Sequence, residues 1–173
     1  LRAGHIVKSA TEGATIADGA RTLSLGVHNW AILEHGLAGI VEVAEPLLER
    51  VAQSTGELVR LSIVDEDRLT WVAKSQGMRQ SGLRYDPDMG MDARLSCTAS
   101  GHAWLMTMSD ERALELVSRQ GFGKPDDYGP RAPTTIKALQ GFLHAARVRG
   151  YAMIDEVFAP GMTAMAAPVF RRK

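Results

Sequence analysis

The sequence predicts an α+β fold in which antiparallel strands stand on either side of a block of helices. Alternating apolar and polar residues at 58–64 and 69–73 flank a polar turn, as in a β-hairpin. Helical periodicity with start and stop residues follows between 98 and 150, and two short apolar stretches, 151–154 and 163–170, return to strand. Helices grouped between strands favour an antiparallel α+β domain over a doubly wound parallel sheet.

Composition narrows the function classes. The 173 residues suit one domain or one domain with an appendage, and a formal net charge of +0 argues against nucleic-acid binding by this chain alone. The single cysteine excludes an internal disulfide framework and a multi-cysteine zinc site. No apolar run approaches the roughly 20 residues of a membrane span. The sequence therefore predicts a cytoplasmic protein with no membrane partner, no metal and no cofactor.

The first 56 residues divide into a hairpin pattern and a helical pattern. Residues 5–8 and 21–25 flank a loop rich in Gly, Ala and Thr, and residues 27–35 and 39–54 have apolar side chains at three- and four-residue spacing. Pro46 lies inside the second helical stretch, so a kink or a restart near Glu45 is expected.

The remaining residues form the main domain. After the hairpin at 58–73 comes an irregular Gly- and Pro-containing stretch, 77–94. Ser109 is the expected N-cap of helix 110–120 and Gly121 its stop, while Thr134 or Thr135 begins helix 136–149. Strands at 151–154 and 163–170 complete the prediction.

The most informative stretch is LSCTASGHAWLM at 95–106. Ser96 and Thr98 are N-cap residue types, and small residues fill the first helical turn. Such a start leaves backbone N–H groups without intrahelical partners and suits an anion. Taken by itself, the stretch more often marks a capped helix packed closely on a sheet, because caps are commoner than ligand sites. Cys97 is either a nucleophile favoured by the helix dipole or an ordinary buried cysteine.

Five blocks in order then resemble the effector-binding domain of IclR-type bacterial transcription regulators. They are ELV at 57–59, LSCTASGHA at 95–103, APTTI at 132–136, RVRGYA at 147–152 and AAPV at 166–169. The resemblance implies a GAF-like curved antiparallel sheet with flanking helices and a small-molecule pocket. It also implies a wing-type hairpin remnant of a winged helix-turn-helix at 1–26, a linker helix at 27–38 and the effector-binding domain at 39–173. A recognition helix before Leu1 and a last sheet strand after Lys173 complete the implied protein.

The resemblance assigns roles to residues. It implies that the amides of Ala99 and Ser100 receive an effector carboxylate, and that apolar walls come from Gly82, Tyr85 and Ala93. Met89 lies near these walls, with gap-filling in the core as its alternative role. If the wing assignment holds, DNA phosphates would be contacted by the basic residues of the hairpin, for which a solvated surface is the equal alternative: Arg2, His5, Lys8 and Arg21.

Departures from the family pattern predict the kind of effector. Ile154 stands where sensors of very small oxo-acids have an acidic or amide residue, with Asp155 following, and Ala164 stands where they often have cysteine. Both changes remove polar groups, and an unsatisfied polar ligand group costs on the order of 1–3 kcal/mol. We therefore expect a carboxylate larger and more apolar than glyoxylate or pyruvate, contacted also by Ile154, Asp155 and Ala164. His102 replaces a usual lysine and is expected at the surface or in an interface, not as a ligand contact.

Two functions follow from these observations. The first is a ligand-responsive DNA-binding regulator, not an enzyme, that binds operator DNA through its N-terminal domain. The resemblance implies a homodimer or homotetramer, and dimerisation through the linker helices would be supported by the apolar stripe of Trp30, Leu33, Leu37 and Ile40. The second is a small enzyme on a GAF-like fold that uses Cys97 or Asp155 at the pocket.

Overall fold

The computed structural model describes residues 38–77 and 91–170, with helices α1 (Ala38–Thr55), α2 (Ala99–Leu105), α3 (Asp110–Gln120) and α4 (Ile136–Arg149). The strands are β1 (Leu58–Asp65), β2 (Arg68–Gln76), β3 (Ala152–Asp155) and β4 (Thr163–Ala166), with a 3₁₀ turn at Pro125–Asp127. This mixture of helices and antiparallel strands confirms the predicted α+β class. The chain forms two compact units that divide between Asp92 and Ala93.

In the first unit α1 packs on the hairpin β1–β2. Leu48 and Ala52 are its buried apolar residues. The helix runs through Pro46 as one element, so the expected restart does not occur. Proline removes one backbone hydrogen bond and crowds the carbonyl four residues earlier, and packing of the helix on the hairpin offsets this cost. Gly56, at φ 75°, ends α1 and donates its N–H to the Ala52 carbonyl at 2.8 Å.

The hairpin has the predicted strands and turn. β1 and β2 pair antiparallel from Leu58 opposite Gln76 to Asp65 opposite Arg68, with an irregularity between Leu61 and Ser62. Buried Leu69, Trp71 and Ala73 alternate along β2. Such alternation is the pattern of a strand with one face on the core.

In the second unit the local start and stop residues act as predicted. Ser109 caps α3, Thr135 caps α4, and Gly150 ends α4 in the left-handed conformation. β3 and β4 pair antiparallel with Ala152 opposite Ala166 and Asp155 opposite Thr163. β4 is shorter than predicted because β3 begins at Ala152, so residues past Ala166 face no paired strand within the described part of the chain.

Two apolar clusters lie in the interior of the second unit. The first, which we call the Cys97 cluster, consists of Cys97, Ala99, Ile154 and Val157. The second joins Ala103, Ala146 and Ala152, and so brings α2, α4 and β3 together. None of the described helices combines the length and the apolar character needed to cross a bilayer.

Candidate functional site

The start of α2 is shaped by Thr98 and Gly101. Thr98 is the N-cap, in an extended conformation, and its hydroxyl accepts from the Gly101 N–H at 3.0 Å while donating to the Arg94 carbonyl at 2.7 Å. A Cβ on Gly101 would lie 2.6 Å from the Leu95 backbone. Within the described residues, the N–H groups of Ala99 and Ser100 find no acceptor. These two amides are the donors that the motif predicts.

The segment before α2 is fixed to the end of α3. The Gln120 side chain bonds the backbone on both sides of Arg94: its Oε1 accepts from the Leu95 N–H at 2.7 Å, and its Nε2 donates to the Ala93 carbonyl at 3.0 Å. Arg94 donates from Nη1 to the Gln120 carbonyl at 2.7 Å and from Nε to the Tyr128 hydroxyl at 3.0 Å. Ala93, a predicted wall residue, is fully buried.

His102 is buried, which corrects the expectation that it lies at the surface. It is 1% exposed, its ring centroid lies 5.3 Å from that of Phe142, and its Nε2 lies 2.7 Å from the Ser96 carbonyl oxygen. Because a carbonyl only accepts, Nε2 carries the proton. Burial lowers the pKa of His102, against the raising effect of the Ser96 bond. The neutral His102 ring therefore joins α2 to the preceding turn through its hydrogen bond to the Ser96 carbonyl.

Cys97 does not have the properties of a nucleophile. Its side chain is 1% exposed, and burial raises the pKa of the thiol to about 12. The thiolate is the reactive form, so the thiol is protonated and inert near neutral pH. This geometry removes the main support for a cysteine-dependent enzyme.

Three predicted effector contacts come together in the Cys97 cluster. Ala99 and Ile154 are among its buried members, and Ala164 packs against it. Ile154 and Ala164 are directly opposite each other in the β3–β4 register. The start of α2 and the apolar positions of the hairpin therefore share one apolar environment, even though about 55 residues of sequence separate them.

The same cluster includes residues that sequence reasoning missed. Tyr128, Phe142 and Phe158 are partly buried against it, and the rings of Tyr128 and Phe158 lie 6.4 Å apart. Phe142 has an ordinary helical position, and Tyr128 lies in a polar stretch, so no local pattern distinguishes them. Gly129, which would clash with the Glu156 carbonyl if it had a Cβ, is a local sign that this loop packs tightly.

Asp155 lies apart from these residues. Strand alternation places its side chain on the face opposite Ile154. Its carboxylate pairs with Arg131 and accepts from the Thr163 hydroxyl at 2.8 Å. It is therefore engaged in joining the loop at 131 to the β3–β4 hairpin.

The other predicted site residues fall outside the described residues: the wall positions Gly82, Tyr85 and Met89, the basic residues Arg2, His5, Lys8 and Arg21, and most of the dimerisation stripe. Among residues 38–77 and 91–170, no three His, Cys, Asp or Glu side chains come together to hold a metal ion.

Comparisons with known proteins identify the family. The bacterial transcriptional regulator IclR C-terminal family matches residues 35–173. The HTH-type transcriptional regulator BhcR of Paracoccus denitrificans (strain Pd 1222) is 30% identical over 133 residues, which are 77% of this chain and 46% of that protein. The chain spans about half the length of the curated relatives it matches.

Two solved structures share the fold and contain aromatic acids. An IclR homolog from Microbacterium hydrocarbonoxydans complexed with 4-hydroxybenzoate has a TM-score of 0.68 at 21% identity, over 86% of this chain and 60% of that one. A double mutant of the PobR inducer-binding domain from Acinetobacter, complexed with 3-hydroxybenzoic acid, has a TM-score of 0.61 at 23% identity, over 75% and 73%. From the family match and the 30% identity to BhcR over 77% of its length, the chain belongs to the IclR C-terminal domain family.

Proposed function

We propose that this chain is the effector-sensing part of a cytoplasmic IclR-type transcription regulator and that it binds an apolar carboxylate. The single observation that carries the proposal is the convergence of Ala99, Ile154 and Ala164 on the Cys97 cluster. The proposed contacts for the carboxylate are the Ala99 and Ser100 amides, which have no acceptor within the described residues. Unpaired amides at a helix start favour an anion.

The apolar part of the effector would contact Ile154 and Ala164, with Gly82, Tyr85, Met89 and Ala93 as further proposed walls. Aromatic rings of Tyr128 and Phe158 beside the same cluster support a ring-bearing acid. The hydroxybenzoates bound to two proteins of this fold give a practical starting set of ligands. Asp155, paired with Arg131, is proposed to support the hairpin and to reach the effector only at its edge.

In the complete regulator, effector binding would change affinity for operator DNA. A ligand that binds two global states unequally shifts their equilibrium, and DNA affinity then changes by linkage. We place the DNA contacts in the wing hairpin at Arg2, His5, Lys8 and Arg21. Pairing of linker helices would give a homodimer or homotetramer, which light scattering measures directly.

A thermal-shift screen of the 173-residue chain tests the effector class. At a ligand concentration 100 times Kd, binding to the native state alone adds about 2.7 kcal/mol. That gain corresponds to a rise in Tm of roughly 5–10 °C for a chain of this size. We expect the rise with 4-hydroxybenzoate, benzoate or a medium-chain fatty acid. A larger rise with glyoxylate or pyruvate would contradict the apolar class, and no rise with any acid would overturn the proposal.

A further inference from the structure

Arg94 differs from the other arginines described in the second unit. Four of those arginines form ion pairs with carboxylates: Arg112, Arg119, Arg131 and Arg147. Arg149 lies over the Tyr151 ring at the surface. Arg94 is partly buried, and the acceptors it bonds in the described part of the chain are neutral: two backbone carbonyls and the Tyr128 hydroxyl. Within the described residues, its charge has no carboxylate partner.

The neutral acceptors hold the guanidinium in one place. Nη1 donates to the Gln120 carbonyl at 2.7 Å and reaches the Gly121 carbonyl at 3.5 Å, at the negative end of α3. Nε donates to the Tyr128 hydroxyl at 3.0 Å. The backbone on either side is clamped by the Gln120 side chain. The positive charge is therefore fixed before any ligand arrives, and it needs no reorganisation when an anion binds.

This charge lies at the polar edge of the Cys97 cluster. Tyr128, whose hydroxyl Arg94 holds, packs its ring against the cluster. The field of Arg94 also reaches Cys97, where it lowers the pKa of the thiol, although burial raises that pKa more. Charges act over several ångströms when little water separates them. An anion near Ala99, in the same cluster, would lie within reach of this field.

We propose that Arg94 is a specificity-determining residue of the effector site and makes it prefer a carboxylate over a neutral ligand of the same shape. The inference depends on the proposed function, because it concerns the charge of the ligand bound there. Tyr128 is the positioning residue that holds the guanidinium at the edge of the cluster. A partly buried charge that has no carboxylate partner within the described residues is stabilised when an anionic ligand comes near it.

The test uses two probes that differ in charge but little in shape, 4-hydroxybenzoate and 4-hydroxybenzamide. Isothermal titration of the 173-residue chain gives Kd for each probe. The Kd of 4-hydroxybenzamide divided by the Kd of 4-hydroxybenzoate is the carboxylate preference, called the ratio below. We expect Arg94→Gln to lower this ratio about tenfold, the effect of losing one nearby charge in a medium of intermediate dielectric. Arg94→Lys should retain most of the ratio, because it keeps the charge while losing the planar fork.

Arg119→Gln is the matched control. It removes the same charge from the same unit, but Arg119 is exposed and paired with Glu115. Its ratio should equal that of the unaltered chain. Equal weakening of both probes by Arg94→Gln would overturn the inference, because it would make Arg94 only a cap on α3. An unchanged Kd for both probes would overturn it as well.

Failure of the proposed function gives a different result. If the unaltered chain binds neither probe, the proposed aromatic effector and this inference fall together. If it binds both probes equally, the carboxylate preference is absent and the inference alone is overturned. If Arg94→Gln does not fold, Arg94→Lys is the variant that tests the inference. Because it keeps the positive charge, it should keep the carboxylate preference, and loss of that preference would overturn the inference.

Discussion

A missing Cβ at Gly101 lets the turn that begins α2 close on itself. The nearest atoms to a built Cβ are the Leu95 Cα and carbonyl oxygen, each at 2.6 Å, followed by the Thr98 hydroxyl at 2.8 Å. Two of these atoms belong to backbone, which cannot rotate away. From the sequence, Gly101 is only one of several small residues in the first helical turn. The folded turn explains why no larger residue fits there.

Gly101→Ala should therefore lower the free energy of unfolding by about 1–3 kcal/mol, the range for overpacking a filled site. Gly141→Ala is the control: Gly141 lies in α4, and nothing stands within 4 Å of its added Cβ. That change should be neutral or stabilising by up to roughly 1 kcal/mol, because alanine favours helix. Urea unfolding measures both. Equal effects of the two substitutions would contradict the close packing at Gly101.

His102 predicts a pH dependence of stability. Its pKa in the folded chain lies below the ordinary value of 6.5, because burial disfavours the charged ring. Below pH 6.5 the unfolded chain therefore binds a proton that the folded chain does not. Stability from this residue is complete above the unfolded pKa and falls as pH drops through 6.5 toward the folded pKa.

The His102→Gln variant keeps an N–H donor near the Ser96 carbonyl and removes the titration. We expect its free energy of unfolding to fall less than that of the unaltered chain between about pH 7 and pH 5. His144→Gln removes an exposed histidine from α4 and is the control. If the curve of His102→Gln ran parallel to that of the unaltered chain, burial of a neutral ring would not govern this pH range.

At the scale of elements, sequence reasoning succeeded where the determinant is local. Ser109, Thr135 and Gly150 act on the backbone within three or four residues, so their pattern predicts helix ends directly. It failed where the determinant is distant. Tyr128 contacts the Cys97 cluster through tertiary packing. Helix α2 has only seven residues, which is too few for periodicity to show which of its sides is buried. For that reason the expectation that His102 lies at the surface is wrong.

The β1–β2 turn contains a strain that a substitution should relieve. Glu66 has φ 52°, a left-handed conformation that costs a non-glycine residue roughly 1 kcal/mol, whereas asparagine tolerates it better. Glu66→Asn should raise the free energy of unfolding by up to about 1 kcal/mol. Glu66→Gln removes the same charge without relieving the backbone and should be near neutral. Chemical denaturation of both variants decides, and equal stabilisation by the two would assign the effect to charge instead.

At the scale of the whole molecule, the chain is electrically balanced and folds as two units. The length and composition of the sequence predict a chain of about one domain without a basic excess. The five motifs between 57 and 169 are what indicate the family. The identity of the effector depends on a few side chains around one cluster. The net charge of the chain cannot specify which effector binds, whereas a single charge placed beside the site, such as that of Arg94, can.

Coupling between effector and DNA is the last consequence of the proposed function. If 4-hydroxybenzoate changes the affinity of the full-length regulator for its operator by some factor, the operator must change the affinity for 4-hydroxybenzoate by the same factor. We expect a factor of about 5 to 150, typical of allosteric coupling. Fluorescence anisotropy with an operator selected from random duplexes gives the first factor, and titration calorimetry with and without that duplex gives the second. An effector that binds tightly but leaves operator affinity unchanged would show that this domain senses its ligand for some purpose other than control of DNA binding.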